Sequence, residues 1–242
     1  MNVKYVYTNG CSYSDGTGLK NTIVEDGKVT YPDRYSRFLS EKFNAVDVNE
    51  ARGGESNQRI WRKTLEWIAN NQDKLDETVF VIQLTYPVRN EIWYKTPQNN
   101  GELSEEDRHW WGAQHGHDGY TAWDTSQRDT SVDRDEINFD FVPDNKTSSE
   151  ISWKYVIGLQ SYFESNNIKY IFFEGDINEH GFLDKTCKIA ELVNFDYFYD
   201  EGFLQSATSE WRQMLTPCDH PNEEIQVEWA DKLYNFINEV WS

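Results

Sequence analysis

Val3-Lys4-Tyr5-Val6-Tyr7-Thr8-Asn9-Gly10-Cys11-Ser12-Tyr13-Ser14-Asp15-Gly16 is the stretch whose reading decides the fold. Residues Val3–Thr8 are mostly β-branched or aromatic, the composition of a buried strand. Asparagine, glycine and serine follow at once, so the strand runs straight into a tight turn. Four later runs have the same character: Ala45–Asn49, Thr78–Thr85, Ile168–Glu174 and Phe195–Tyr199.

Amphipathic segments separate these runs. Pro32 is expected in the first turn of a helix that carries Tyr35, Phe38, Leu39 and Phe43 on one stripe. Ser56 reads as the N-cap of a helix presenting Ile60, Thr64, Leu65 and Ile68. Ile151, Tyr155, Leu159, Tyr162 and Phe163 form a third apolar face. The last helix begins near Asn222, with Glu223 and Glu224 where the dipole favours anions. Its stripe is Trp229, Leu233, Phe236, Ile237 and Val240.

Strands that alternate with helices pair in parallel through right-handed crossovers, with helices on both faces of the sheet. The expected fold is therefore a three-layer α/β/α sandwich around a five-stranded parallel sheet. A ligand site is expected beyond the carboxyl ends of its strands. A chain of 242 residues fits one such domain.

Aromatic residues make up 15 % of the chain and charged residues 27 %, so the core rests on a few bulky side chains. A net charge of −19 repels phosphate backbones, which argues against nucleic-acid and anionic-membrane partners. No run reaches the ~20 apolar residues of a membrane span, and the N-terminus lacks the pattern of a secretion signal. Cys11, Cys187 and Cys218 are an odd set without C-x-x-C spacing, which speaks against a disulfide scaffold or structural zinc. A cytoplasmic protein is the expectation.

Periodicity fails from Tyr94 to about Ser148. Residues 101–150 carry 13 acidic and four basic side chains, together with His109, His115, His117, Trp110, Trp111 and Trp123. An excursion of this length is either functional or disordered. The tryptophans favour an ordered, substrate-facing insertion; a solvated acidic loop is the plainer reading.

The chemistry-bearing residues stand at the strand ends. Ser12 follows the first strand, where a hydroxyl attacks an acyl carbon if a base removes its proton. Serines in such turns are more often turn or cap residues. Thr216-Pro217-Cys218-Asp219-His220-Pro221-Asn222 opens the last helix, and His220 has the pKa range of a general base. Gly53-Gly54-Glu55-Ser56-Asn57 follows the second strand, offering backbone N–H groups and the Asn57 amide to an oxyanion. Thr85-Tyr86-Pro87-Val88-Arg89-Asn90-Glu91 follows the third and adds a hydroxyl and a charged pair.

In this order the blocks resemble the SGNH (GDSL-like) hydrolase family. Its pattern is a serine after strand one, a glycine after strand two, an asparagine after strand three and a late Asp-x-x-His. Gly10-Cys11-Ser12 matches the first block, with Cys11 where aspartate is usual. Gly54 matches the second, Tyr31-Pro32 sits where an aromatic–proline pair is common, and His220-Pro221-Asn222 resembles the end of the last. Two blocks depart: Gln83-Leu84-Thr85 replaces Gly-x-Asn-Asp, and Pro217 stands three residues before His220.

The resemblance implies a flavodoxin-like sheet of SGNH type and two-step acyl transfer. Ser12 is the implied nucleophile, His220 the base and Asp219 the nearest carboxylate. Ser12, Gly54, Asn57 and Thr85 are the implied oxyanion donors. Arg89, Trp110 and Trp111 are expected at the substrate, an acyl ester of a small molecule or carbohydrate. No metal or organic cofactor is needed. The competing class is a binding or structural module that has lost turnover. A metal site in His115-Gly116-His117-Asp118 with His109, a Cys11 nucleophile, and Asp176 as a substitute orienting acid remain as alternatives.

Overall fold

The computed structural model describes residues 2–25, 28–87, 89–93, 120–124, 145–175, 183–203, 216 and 220–242. The strands in chain order are β1 (Tyr5–Asn9), β2 (Ile23–Glu25), β3 (Lys28–Thr30), β4 (Val46–Asn49), β5 (Thr78–Leu84), β6 (Arg89–Trp93), β7 (Tyr120–Asp124), β8 (Lys169–Glu174) and β9 (Phe198–Tyr199). The helices are α1 (Ser12–Asp15), α2 (Tyr35–Phe43), α3 (Asn57–Asn70), α4 (Asn145–Ser165) and α5 (Glu223–Val240).

Five strands form one sheet in the order β4-β1-β5-β8-β9, every pairing parallel. Numbered along the chain, that order is 2-1-3-4-5, the flavodoxin-like arrangement. Alternation along the strands gives each face its own core. Val6, Val79, Val81, Ile171 and Phe173 pack with Tyr35 and Leu39 of α2 and Trp229, Leu233 and Ile237 of α5. Tyr7, Phe80, Ile82, Tyr170 and Phe172 pack with Ile60 of α3 and Trp153, Leu159 and Phe163 of α4. Trp229 is fully buried and stacks on Phe203 at 4.8 Å. Burying a large apolar side chain contributes about 1.5–3 kcal/mol, so this aromatic layer is a main source of stability.

Element boundaries shift where side chains intervene. The third strand stops at Leu84 because the N–H and C=O of Thr85 are both taken by the Asn57 side chain, each at 2.9 Å. Phe195–Tyr197 is a 3₁₀ turn, since the Asn194 side chain accepts the Asp196 N–H, and only Phe198–Tyr199 reach β8. Pro32 lies ahead of α2 instead of in its first turn. There the Arg34 N–H and guanidinium both donate to the Tyr31 carbonyl, and Arg34 itself is the N-cap. Ser56 caps α3 by accepting from the Arg59 N–H, and Asn222 caps α5 by accepting from Ile225.

Two antiparallel pairs were not anticipated. β2 pairs with β3, and the two residues between them in the sequence, Asp26-Gly27, are a favoured hairpin pair. β6 pairs with β7, so the stretch after the third strand returns upon itself, and α4 begins at Asn145, inside the expected excursion. Among the described residues, no helix is long and apolar enough to cross a membrane.

Candidate functional site

In a 2-1-3-4-5 sheet the chain leaves β1 and β5 in opposite directions, which opens a crevice beyond their carboxyl ends. Cys11, Tyr13, Gln83, Thr85, Tyr86 and Glu174 line that crevice.

The Ser12 turn is built from below. Asn9 is fully buried; its amide donates to Tyr7 Oη, the Ile60 carbonyl and Thr64 Oγ1, while its oxygen accepts the Gly10 N–H at 2.9 Å. Gln83, also fully buried, accepts from the Ser14 N–H at 3.1 Å and the Ser14 hydroxyl at 2.5 Å, and donates to Cys11 Sγ at 2.9 Å. A Cβ on Gly10 would sit 2.7 Å from Gln83 Cβ, Gln83 Oε1 and Ser14 Oγ, so only glycine fits there. Half-buried Ser12 opens α1, and Gly16 ends it in the left-handed region at φ 88°. The Cys11 thiol is buried as an acceptor for Gln83, in a structural place beside Ser12.

The second loop lies along this turn. Glu50 N–H donates to the Thr8 carbonyl and Arg52 N–H to the Gly10 carbonyl, continuing the β4–β1 pairing past both strands. A Cβ added at Gly53 would come within 3.8 Å of Ser12 Cβ, which sets the glycine turn beside Ser12. Gly54 is exposed and has φ 78°, a conformation that glycine adopts without strain. Behind it the Arg59–Glu55 ion pair, 3.1 Å apart and buried, anchors the loop to α3.

At the third strand end, Asn57 engages both amide hydrogens, one with the Thr85 carbonyl and one with Ser152 Oγ. Its expected oxyanion role gives way to bracing: the amide ties β5 to α3 and α4. Thr85 Oγ1 lies at the crevice and accepts from Arg89 Nη1 at 2.8 Å, and the Arg89 guanidinium stacks 4.8 Å from the Tyr86 ring.

His220 is half-buried, two residues before the α5 cap. Its N–H donates to Thr216 Oγ1 and its carbonyl accepts the Thr216 N–H at 2.8 Å, closing a small loop. Its ring meets Tyr13 edge to face at 5.5 Å. The residue after Ser12 thus touches the segment that leads into α5. Asp15, on the turn of α1 that follows, accepts from the Thr17 hydroxyl at 2.8 Å, and burial pushes its carboxyl above the ordinary range.

Asp219, Trp110, Trp111, Asp176, His109, His115, His117 and Asp118 lie outside the described residues. Among the described residues, no group of three or more His, Cys, Asp or Glu could hold a metal ion. From the sequence, Asn9 and Gln226 have no role, Tyr35 reads as a residue of an apolar stripe and Gln83 as part of the divergent third block. The structure makes all four buried hydrogen-bonding groups behind the Ser12 turn. A detectable signal existed for Gln83: it is the polar residue inside Val79-Phe80-Val81-Ile82-Gln83-Leu84, where burial demands partners.

Comparison with solved structures places the architecture among esterases. The psychrotrophic esterase EstA from Pseudoalteromonas sp. superposes with a TM-score of 0.50 over 98 % of this chain and 97 % of its own, at 12 % identity. The acetyl xylan esterase Est2A from Butyrivibrio proteoclasticus gives 0.53 over 99 % of this chain and 64 % of its own, also at 12 %. A carbohydrate esterase family 2 enzyme with a carbohydrate-binding domain, from Corynascus thermopiles (Myceliophthora fergusii), gives 0.50 over 98 % and 66 %, at 12 % identity. The chain spans just under two thirds of the two carbohydrate esterases. At this identity the likeness concerns the fold alone, a three-layer α/β/α sandwich. No curated protein matches the chain in sequence. The model of DUF6071, described as a family of unknown function, matches residues 23–193, most of the chain, and the protein belongs to that family.

Proposed function

We propose that the protein is a serine esterase or deacylase acting on a small acyl ester, with a carbohydrate as the alcohol that is released. The contact between His220 and Tyr13, the residue after Ser12, carries this reading. His220 takes the Ser12 proton as the hydroxyl oxygen attacks the ester carbonyl. The Ser12 and Gly54 N–H groups, with the Thr85 hydroxyl, receive the oxyanion. Collapse of the tetrahedral intermediate breaks the bond to the leaving alcohol, which takes its proton from the imidazolium. Water, deprotonated by His220, then cleaves the acyl-serine and releases the acid. Each oxyanion donor of this kind is worth about 2.7–4 kcal/mol of transition-state stabilisation.

The carbohydrate alcohol is suggested by two structural neighbours named as an acetyl xylan esterase and a carbohydrate esterase. Arg89 with Trp110 and Trp111 is assigned to that carbohydrate, since flat aromatic faces suit sugar rings. The whole chain is read as one domain.

The reading is tested with a fluorophosphonate probe and p-nitrophenyl acetate. Labelling at Ser12 that disappears in Ser12→Ala, with hydrolysis lost in Ser12→Ala and His220→Ala, is the expected outcome. Undiminished hydrolysis in both variants rejects it. The second reading, a binding module without turnover, is favoured by Pro217 and by Gln83-Leu84-Thr85. It predicts no labelling at all.

A further inference from the structure

A line of buried polar groups runs from β5 to α5 beneath the Ser12 turn, and the proposed chemistry uses none of it. Gln83 Oε1 accepts the Ser14 N–H, which fixes the orientation of its amide, since the reverse would set two donors face to face. Ser14 Oγ spends its one hydrogen on Gln83, so the hydroxyl of Tyr35, 2.7 Å away, is the donor to Ser14. Tyr35, fully buried, opens α2, and its backbone N–H is one that the helix leaves without an intrahelical acceptor. Gln226 of α5, 1 % exposed, supplies that acceptor at 2.8 Å. The same amide donates to the Tyr13 carbonyl at 3.4 Å. Gln226 lies four residues beyond Asn222, the cap that follows the His220 loop.

We propose that Gln226 and Gln83 are positioning residues, which together with Ser14 and Tyr35 hold the Ser12–Tyr13 turn and the His220 loop in fixed register. The proposal rests on the esterase reading for its kinetic consequence but not for its geometry. Without these amides, the buried face of α5 is held by apolar packing, which resists sliding less well than directional bonds do. The other polar ties of the helix, from Lys20 N–H to Glu223, Lys42 to Asp231 and Lys232 to Glu201, lie on its solvent side. Ser12 and His220 come from opposite ends of the chain, so a small slide of α5 changes their separation directly. Misplacement of reacting groups by about 1 Å costs about 100-fold in rate.

The test uses the full-length protein with 13C-labelled histidine. The Cε1–H resonance of His220, assigned by its loss in His220→Ala, reads the Tyr13 contact without reference to activity. Gln226→Met preserves volume and removes both bonds. It is expected to move that resonance toward the position of an exposed histidine and to slow fluorophosphonate labelling of Ser12 about 10–100-fold. Gln226→Glu, measured near pH 9 with its carboxyl ionised, keeps an acceptor for Tyr35 and loses only the donor to Tyr13. It gives the same displacement and covers the case in which the methionine variant does not fold. An unmoved His220 resonance in the folded variant overturns the proposal, as does a moved resonance with labelling at the wild-type rate. A moved resonance in a protein whose wild type never labels upholds the coupling and removes the esterase reading instead.

Discussion

Asn57 and Thr85 are joined by a two-way amide bridge: the side-chain nitrogen donates to the Thr85 carbonyl and the side-chain oxygen accepts the Thr85 N–H, each at 2.9 Å. The side chain imitates a neighbouring strand for one residue and so ends β5 where the crevice begins. Asn57→Leu leaves both buried main-chain groups and Ser152 Oγ without this partner. An unsatisfied buried polar group costs about 1–3 kcal/mol, so urea unfolding followed by tryptophan fluorescence is expected to show a loss of about 2–4 kcal/mol. A change within 0.5 kcal/mol, the usual size at an uninvolved surface site, would contradict the bridge.

That bridge also explains what the sequence conceals. The five parallel strands are legible because each is a short run rich in β-branched or aromatic residues, alternating with polar ones at the edge in Val46–Asn49 and nearly continuous in Val79–Leu84, the clearest. The end of that run is not legible, since Thr85 has good strand propensity and is withdrawn from the ladder by a side chain 28 residues away. The same holds for Phe195, claimed by a turn at Asn194. Ser12 and His220 stand out as chemically able residues at loop positions. The approach of His220 to Tyr13 depends on how α5 docks, and Gln226, which bonds both Tyr35 and Tyr13, is a helix residue with no local mark of that task.

Gly10 and Gln83 are expected to be coupled. Gly10→Ala forces a methyl group into contact with Gln83, and overpacking of this kind costs about 1–3 kcal/mol. In a Gln83→Gly background Gln83 Cβ and Oε1 are both gone and only Ser14 Oγ remains, so the same substitution should cost distinctly less. A double-mutant cycle by urea denaturation is expected to give an interaction of about 1 kcal/mol or more between the two sites. Additive effects would show that the close approach is relieved elsewhere.

Asp15 should make the protein less stable as pH rises. Burial raises its carboxyl pKa in the folded state, so the folded protein binds its proton more tightly than the unfolded chain does. Unfolding then releases a proton, and stability declines from about pH 4, where the unfolded carboxyl ionises, up to the folded pKa. Asp15→Asn retains an acceptor for the Thr17 hydroxyl and abolishes the titration. It is expected to melt above the wild type at pH 7 and level with it below about pH 4. Thermal unfolding across that range checks the sign, and a lower melting temperature for the variant at pH 7 would contradict it.

Thr85 distinguishes a working oxyanion site from a silent one. Its hydroxyl accepts from Arg89 at 2.8 Å, and a hydroxyl that accepts from a guanidinium keeps its own hydrogen to donate. Thr85→Val preserves shape and removes that hydrogen. If the hydroxyl serves as an oxyanion donor, kcat on p-nitrophenyl acetate falls by about 100-fold with KM little changed, because the oxyanion exists only on the reaction path. Thr85→Ser should restore most of the rate. The hydroxyl also orients Arg89, so Arg89→Met is the necessary control. If that control alone reproduces the loss in kcat, Thr85 acts through the guanidinium and not on the oxyanion. If it raises KM and spares kcat, the two residues divide the work, Thr85 on the reacting carbonyl and Arg89 on the leaving alcohol.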